Sequence, residues 1–440
     1  MSVNNFKKKQ LVLGMVLAGC STGVFAGGFA IVEQSVTGLG GAFSGVSAAA
    51  EDISMIYFNP ATLAKFKGRQ VAVAAHYIMP NAEFQSSGLS TRPGGPLMGN
   101  DGGNGGVDAV VPNFYYGMDL AEGLRFGLGI TAPFGLATDY KNGWEGRYHA
   151  LESELMTVNI NPIISWKADE KFSFGFGLSA QYMEVKLTNA VDTGLALGAA
   201  GSTRFDSEAE VKGDDWGWGW NFGVLYEPVP GTRLGLAYRS SIKHDLDGKA
   251  KFKPLSAGAA GILSAIQQGT GTLVDTDAKA AIDLPETVSL GLYHDMSDRL
   301  ALTGDVTWTR WERFKELRVD FASAQPDSVK VENWENTIRV SLGVIYKYSP
   351  ALTLRTGVAY DEEPIPNAAH RTPRIPGNDR KWIAFGGSYK ANEQLTIDVG
   401  YAHLFVNDSK INDADTTGHT LVGEYEADVD ILSAQARWDF

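Results

Sequence analysis

The 440-residue chain has a single cysteine, Cys20, near its start. If that stretch is removed, no disulfide, thiol nucleophile or thiolate metal site remains. Long apolar runs are also missing. After residue 26 no 18 apolar residues stand together, so no transmembrane helix is expected. Histidine is sparse, seven residues scattered without ligand spacing, which gives a metal site no support. Positive charge is in deficit, with 38 Lys and Arg against 51 Asp and Glu, and a net charge of -13 argues against a nucleic-acid partner. Catalytic motifs are poor. Gly19-Cys20-Ser21-Thr22-Gly23 has the form of a nucleophile elbow but sits in the leader described next. Gly38-Leu39-Gly40-Gly41 is too short for a dinucleotide fingerprint. Asp245-Leu246-Asp247-Gly248 is an incomplete calcium loop and reads as a turn.

What is present begins with a leader. Lys7, Lys8 and Lys9 precede an apolar run from Leu11 to Gly19, and Val24-Phe25-Ala26 ends on a residue small enough for signal peptidase. Residues 1–26 are therefore expected to be a signal peptide, with the mature chain starting at Gly27. Leu17-Ala18-Gly19-Cys20 also fits lipoprotein cleavage, which would leave a lipidated Cys20 as the N-terminus. A leader carrying three lysines and no acid leaves a remainder three charges more negative than -13.

The main pattern after it is period two. Phe172, Phe174, Phe176, Leu178, Ala180 and Tyr182 alternate with Ser173, Gly175, Gly177, Ser179 and Gln181. Trp216, Trp218, Trp220, Phe222, Val224 and Tyr226 alternate with Asp215, Gly217, Gly219, Asn221 and Gly223. Aromatic residues gather at strand ends, as Tyr346 and Tyr348 do, where an interfacial girdle needs them. The last segment puts Leu432, Ala434, Ala436, Trp438 and Phe440 on one face, the kind of terminal strand that outer-membrane barrels present for assembly.

Candidate strands fall near 69–83, 108–120, 123–133, 150–166, 171–188, 211–227, 231–249, 280–296, 299–320, 330–348, 351–362, 379–390, 393–409 and 427–440. The expected fold is all-β, a 14-stranded antiparallel transmembrane β-barrel over residues 69–440 in an outer membrane. Such a barrel encloses a lumen wide enough for water. Residues 27–68 lack sustained alternation, are rich in Gly, Ala and Ser, and include the turn-initiating pair Asn59-Pro60. They are the stretch placed to plug the lumen as a hatch. Long extracellular loops are expected near 189–210, with Leu195 and Leu197, and near 250–279, with Ile262, Leu263 and Ile266 at helical spacing. Alternation turns Arg339, Lys347, Arg355 and Asp361 inward, where they either pair with one another or hold the plug. Pro133, flanked by Gly129 and Gly135, lacks the N–H a ladder needs, so the third strand either kinks there or has already left the membrane.

These residues resemble the FadL family of outer-membrane transporters for long-chain fatty acids and related hydrophobic compounds. The resemblance is carried by GGF at Gly27, SVTGLGGAFSG, Asn59-Pro60-Ala61, VPNF at Val111, GITAPFGLATDY at Gly129, GDDWGWGWNFGVLYE at Gly213, LPE at Leu284, TGVAYDEEPIP at Thr356 and IPGNDRKW at Ile375. It implies a passive, ligand-gated channel. Ligand would bind between the long extracellular loops, pass to a pocket beside the hatch N-terminus, and leave sideways into the outer-membrane lipid through a gap at strand three. Phe29 resembles the hatch aromatic at that pocket, and Asn59, Pro60 and Ala61 a gating turn held by the barrel-wall acid Asp361. Lys330 aligns with a basic residue near a ligand carboxylate, whereas a second basic position is Asn189 here. Pro133 stands at the kink in place of a polar residue. Leu195, Leu197, Ile262 and Leu263 are expected to line the outer groove. The implied partners are a fatty acid or hydrocarbon and the barrel assembly machinery. No cofactor is implied, and the unit is expected to be a monomer. Uptake of aromatic or alkane hydrocarbons, a general porin and a phospholipase-like barrel enzyme are the alternatives.

Overall fold

The computed structural model describes residues 27–440; the expected leader and Cys20 lie outside the described residues. Fourteen strands form the wall. The first seven are β1 (Gln70–Ser86), β2 (Ala109–Ala121), β3 (Leu124–Thr131 and Gly135–Asp139), β4 (Glu152–Lys167), β5 (Phe172–Asp192), β6 (Asp206–Val229) and β7 (Thr232–Arg239 and Ile242–Pro254). Then come β8 (Thr276–Leu284 and Thr287–Asp295), β9 (Leu300–Thr309 and Glu316–Phe321), β10 (Ser328–Val331 and Thr337–Lys347), β11 (Leu352–Asp361), β12 (Arg380–Lys390), β13 (Leu395–Val406 and Ser409–Ala414) and β14 (Thr420–Asp439). Each pairs antiparallel with the next, and β14 pairs back with β1 from Gln70↔Asp439 to Ser86↔Gly423. Closure leaves no unpaired edge, the condition for a sheet to stand in lipid. Short turns at one end mark the periplasmic side and long loops the extracellular side.

The alternation sorts as the sequence implies. On β5 Leu178 is 55 % exposed on the outer face while its neighbour Ser179 is buried in the lumen. Three features differ from the sequence reading. The walls of β5, β6 and β7 run well beyond the apolar band, so the long loops shrink to 193–205 and 255–275. Charged pairs such as Lys212 with Glu184 and Lys253 with Glu208 hold these extensions together in water. Asp245–Gly248 is no turn but part of β7, paired in register with Lys279 to Ala281 and Ala278 of β8. Finally, four consecutive strands, β7 to β10, are interrupted at one level, at 240–241, 285–286, 310–315 and 332–336.

Residues 27–66 lie inside the barrel. Ser35 caps the short helix α1 (Val36–Gly40), its hydroxyl accepting from Gly38 N at 3.0 Å. Asp52 caps a 3-10 turn at Ile53–Tyr57, and Asn59 caps another at Pro60–Lys65 with proline at its first position, where a missing N–H costs nothing. Val36, Leu39, Phe43, Ile56 and Leu63 are buried.

The inward glycines of the wall make this fit possible. A Cβ on Gly223 would lie 1.9 Å from Asn59 Oδ1, on Gly235 1.8 Å from Ser47 O, and on Gly357 2.1 Å from Gly41 O. The small inward faces of β6, β7 and β11 are therefore shaped to the N-terminal segment.

Candidate functional site: a lumenal pocket beside a break in β3

The ladder of β3 stops at Thr131 and resumes at Gly135. Below the break it pairs with β2 as far as Phe114↔Ile130; above it pairs with β4 alone, apart from a bridge between Gly106 and Thr138. A window thus separates β2 from β3. Pro133 is at its centre, where it has no N–H to leave unsatisfied.

The N-terminal segment supplies the missing neighbour. Ile31 N donates to Pro133 O at 2.8 Å and Gly135 N to Phe29 O at 3.0 Å, so Ala30 and Phe134 oppose each other as a two-residue antiparallel bridge. Gln34 Nε2 donates to Ala132 O, Asn113 Nδ2 to Glu33 O, and the Tyr115 hydroxyl to Gln34 O. Glu33 is wholly buried, and neither carboxyl oxygen has a hydrogen-bond partner among the described residues. Burial pushes its pKa up to about 7, against the lowering effect of its own backbone N–H, Arg380 and Arg339.

A cavity of about 140 Å3 lies behind the window, lined by Gly27, Ile31, Pro133, Phe134, Trp311 and Arg339 among others. A larger one of about 540 Å3 opens above it, lined by Leu187, Asn189, Phe321, Lys330, Arg374 and Asp413 among others. Between them stands a cluster of rings. Phe29 packs against Phe134, Trp311, Phe314 and Trp334 with centroids 5.9, 5.0, 5.7 and 5.7 Å away. Gly28 is required for this. Its φ is +66°, and a Cβ there would lie 2.4 Å from the Trp334 ring. Trp334 Nε1 donates to Glu332 at 3.1 Å, tying the cluster to the upper cavity. Burial raises the Glu332 carboxyl to about 8, with Lys330 and the Trp334 N–H opposing it.

The interrupted strands explain the room for this site. Pro285, Thr309, Trp311 and Thr337 line the lower cavity at the edges of the breaks in β8, β9 and β10. Trp311, Phe314 and Trp334 were hidden in stretches read as continuous strand. The signal was the loss of alternation in Arg310-Trp311-Glu312-Arg313 and Asn333-Trp334-Glu335-Asn336.

Of the residues singled out from sequence, Phe29, Gly129, Pro133 and Gly135 gather around the window and its ring cluster. Lys330 and Asn189 meet in the upper cavity, where Lys330 pairs with Asp413. The second cation that β5 lacks comes from another element, the loop after β11. Arg374 reaches into this cavity, and its hydrogen bonds run to the carbonyls of Glu152 and Thr188 and the hydroxyl of Ser153. Burial brings its pKa down to about 10, with Asp413 and Glu332 working the other way.

Two expectations are corrected. Asp361 does not hold the Asn59-Pro60-Ala61 turn: it pairs with Arg380 at 3.1 Å beside Gly27. Asn59 is fastened elsewhere, donating to Ser47 O at 2.7 Å and Val224 O of β6 at 3.1 Å while accepting from Ala61 N. The register places Asp361 on β11, across the lumen from β6, so one latch cannot serve both. Likewise Leu195, Leu197, Ile262 and Leu263 do not line the upper cavity. Leu195 and Leu197 point to solvent. Ile262 and Leu263 belong to helix α2 (Ala257–Thr270), where Leu263 is buried against Ala250, Phe252, Ala278 and Val319. The two loops do meet, Gly258 packing on Arg204 and Phe205, and the second reaches the upper cavity through Thr272 and Leu273 instead.

The fold also draws together His403, Asp428 and Asp430, with ligand atoms within 4.8 Å of one another on β13 and β14. Asp430 accepts from the Tyr401 hydroxyl and lies 2.9 Å from His403 Nδ1. The group contributes to neither cavity.

Comparison with known proteins agrees with this architecture. The sequence profile of the family described as outer membrane protein transport protein (OMPP1/FadL/TodX) matches residues 17–440. The long-chain fatty acid transport protein of Escherichia coli O6:H1 is 32% identical over 414 residues, 91% of each chain. An outer membrane protein of Neisseria meningitidis serogroup B is 29% identical over 468 residues, the full length of both. The crystal structure of a Pseudomonas aeruginosa FadL homologue superposes with a TM-score of 0.86 at 26% identity, covering 94% of this chain and 100% of that one. The chain belongs to the OMPP1/FadL/TodX family of outer membrane transport proteins: it is an outer-membrane β-barrel transporter of hydrophobic compounds and not an enzyme.

Proposed function

We propose that this protein is a passive channel for long-chain fatty acids, which leave sideways into the outer membrane through the window in β3, and that residues 27–68 act as its hatch. The observation that carries this reading is that the wall at the window is completed by residues 29–34 of the N-terminal segment rather than by a strand. Moving those few residues opens a path from the lower cavity to lipid without breaking the barrel. Phe29 and its ring cluster are the inner gate between the cavities. Lys330 and Arg374 give a ligand carboxylate two cations in the upper one, and relatives such as the Escherichia coli protein carry this cargo in their name. No energy source is needed, because each CH2 leaving water gains about 0.8 kcal/mol.

Size makes hatch movement obligatory. The lower cavity, about 140 Å3, is comparable to a cavity of roughly 150 Å3 that admits one benzene. A long acyl chain enters only when Phe29 withdraws. The same size favours a second reading, uptake of a small aromatic hydrocarbon without large movement. Uptake of labelled oleate and of toluene by a deletion strain carrying this gene separates the two. Oleate uptake that saturates is expected. Toluene uptake alone, with the protein correctly assembled, would sink the fatty-acid assignment. In the same reading, β14 is the strand read by the barrel assembly machinery, and one chain is the transport unit.

A further inference from the structure

A third cavity, about 330 Å3, opens at the periplasmic mouth below the N-terminal segment, and its lining is chemically unlike the rest of the protein. Five of its side chains are cationic, Arg233, Lys347, Arg355, Lys390 and Arg437, against one acid, Glu51, in a chain whose net charge is -13. They come from strands β7, β10, β11, β12 and β14 and all point into the lumen, so ridding the surface of lipid contact does not account for them. Three have work within the fold. Arg437 is bound by Asp398 at 2.7 and 3.0 Å, with Asp52 behind it. Arg233 stacks 3.9 Å over the Tyr293 ring and donates to Ala48 O and Ala49 O. Arg355 grips Glu51 through Nε at 2.9 Å and Nη2 at 2.7 Å. The remaining two are exposed and weakly compensated. Lys347 is 4.0 Å from Asp295, and Lys390 makes no ion pair among the described residues.

Glu51 is therefore the cavity's internal anion, and it is carried by the segment that plugs the barrel. It follows Ala50, whose φ of +48° is the left-handed region a non-glycine residue occupies only when its surroundings hold it.

We propose that this cavity binds a soluble polyvalent oxyanion, bearing phosphate or carboxylate groups, from the periplasm, and that the anion competes with Glu51 for Arg355 and loosens the N-terminal segment from below. The two exposed lysines supply the first attraction, and Arg355 the bidentate contact that a carboxylate or phosphate prefers over a point charge. The site lies at the opposite end of the lumen from Lys330 and Arg374. It does not depend on which cargo the upper cavities take.

The test uses the full-length protein in phosphatidylcholine nanodiscs, titrated with pyrophosphate and with citrate at constant ionic strength. Saturable binding is expected, weakened at least tenfold in K347Q/K390Q and strengthened about tenfold in E51Q, where the internal competitor is neutral. Saturating pyrophosphate should speed amide exchange in residues 45–55 of the unaltered protein. K167Q, at the periplasmic end of β4 and not among the residues lining the cavity, is the control. Absence of saturable binding even in E51Q would overturn the site, as would equal weakening by K167Q. Binding that leaves exchange in 45–55 unchanged would overturn the coupling to Glu51. Because no cargo is present in the assay, none of these results bears on fatty-acid uptake.

Discussion

Replacing Gly235 by alanine puts the seating of the hatch to a sharp test. The added methyl would lie 1.8 Å from Ser47 O and 2.4 Å from Ser47 C, both backbone atoms. A relaxed contact needs about 3.5 Å, so residues 45–50 must retreat by well over an ångström. That retreat breaks the bond from Asn59 Nδ2 to Ser47 O, the bond from Ser47 Oγ to Asp305, and the contacts of Arg233 with Ala48 O and Ala49 O. A neutral bond contributes about 1 kcal/mol and one to a charged group about 2, so losing one of the first kind and three of the second costs roughly 7 kcal/mol, or about five decades in the local opening constant. The barrel strand itself is little affected, since β7 keeps its backbone ladder. Hydrogen exchange by mass spectrometry should show residues 45–62 exchanging at least a hundredfold faster, while heat-modifiable electrophoretic mobility reports an assembled barrel. A methyl added at Gly261 would meet nothing within 4 Å, and Gly261→Ala should leave exchange unchanged. An assembled Gly235→Ala protein whose hatch exchanges within threefold of the parent would refute the claim that inward glycines seat the plug.

Three further outcomes follow from the site. Glu33 has its folded pKa raised from 4.5 to about 7, so the hatch is most stable with the carboxyl protonated and loses stability as pH rises through 7, by about 3 kcal/mol at 1.4 per unit. Glu33→Gln should flatten the fall in protection of residues 29–36, measured relative to intrinsic exchange at each pH, between pH 5 and 8.5, and a fall that persists would exclude Glu33 as its source. Asp361→Arg removes one ion-pair partner of buried Arg380, at a cost of up to about 3–5 kcal/mol, and adds a third guanidinium beside Arg339. Assembly should be retained and oleate uptake altered, with unchanged uptake counting against a role for the Gly27 end. Arg374→Gln should raise the oleate concentration for half-maximal uptake roughly tenfold, as a charged hydrogen bond warrants, and leave uptake of a neutral long-chain alcohol alone. Equal effects on both would show that Arg374 does not read the carboxylate.

Much of the wall was legible because a barrel strand must alternate and a closed sheet must return to its start. All fourteen strands, including the pairing of the last with the first, follow from that constraint. What alternation could not report was how the two sides of the lumen meet. A small inward residue such as Gly223 reads as a neutral filler in the strand, and only the three-dimensional fit shows that Asn59 occupies the space its side chain would take. The breaks in β9 and β10 left only the lost alternation around Trp311 and Trp334 as a trace, masked because both residues continue the aromatic content of their strands while leaving the ladder. Asp361 was placed on the correct face but given the wrong partner, because direction along a strand does not say what lies across a lumen. Arg374 comes from an irregular loop, where no periodicity points to a target. Its charge replaces what Asn189 lacks through a contact distant in sequence.

Lateral release requires the bridge between Ala30 and Phe134 to open for each ligand that leaves. Those two residues form a non-hydrogen-bonded antiparallel pair, whose Cα atoms stand about 4.5 Å apart, within the range a disulfide spans. The sole native cysteine is Cys20, in the expected leader, so Ala30→Cys/Phe134→Cys in cells carrying the gene offers a reversible lock. Oleate uptake is measured before oxidation, after it, and after reduction. Lateral exit past a moving hatch predicts that uptake falls to the level of the deletion strain when the bridge is oxidised and recovers when it is reduced, with each single-cysteine variant unaffected by oxidant. Undiminished uptake through the oxidised protein would contradict it.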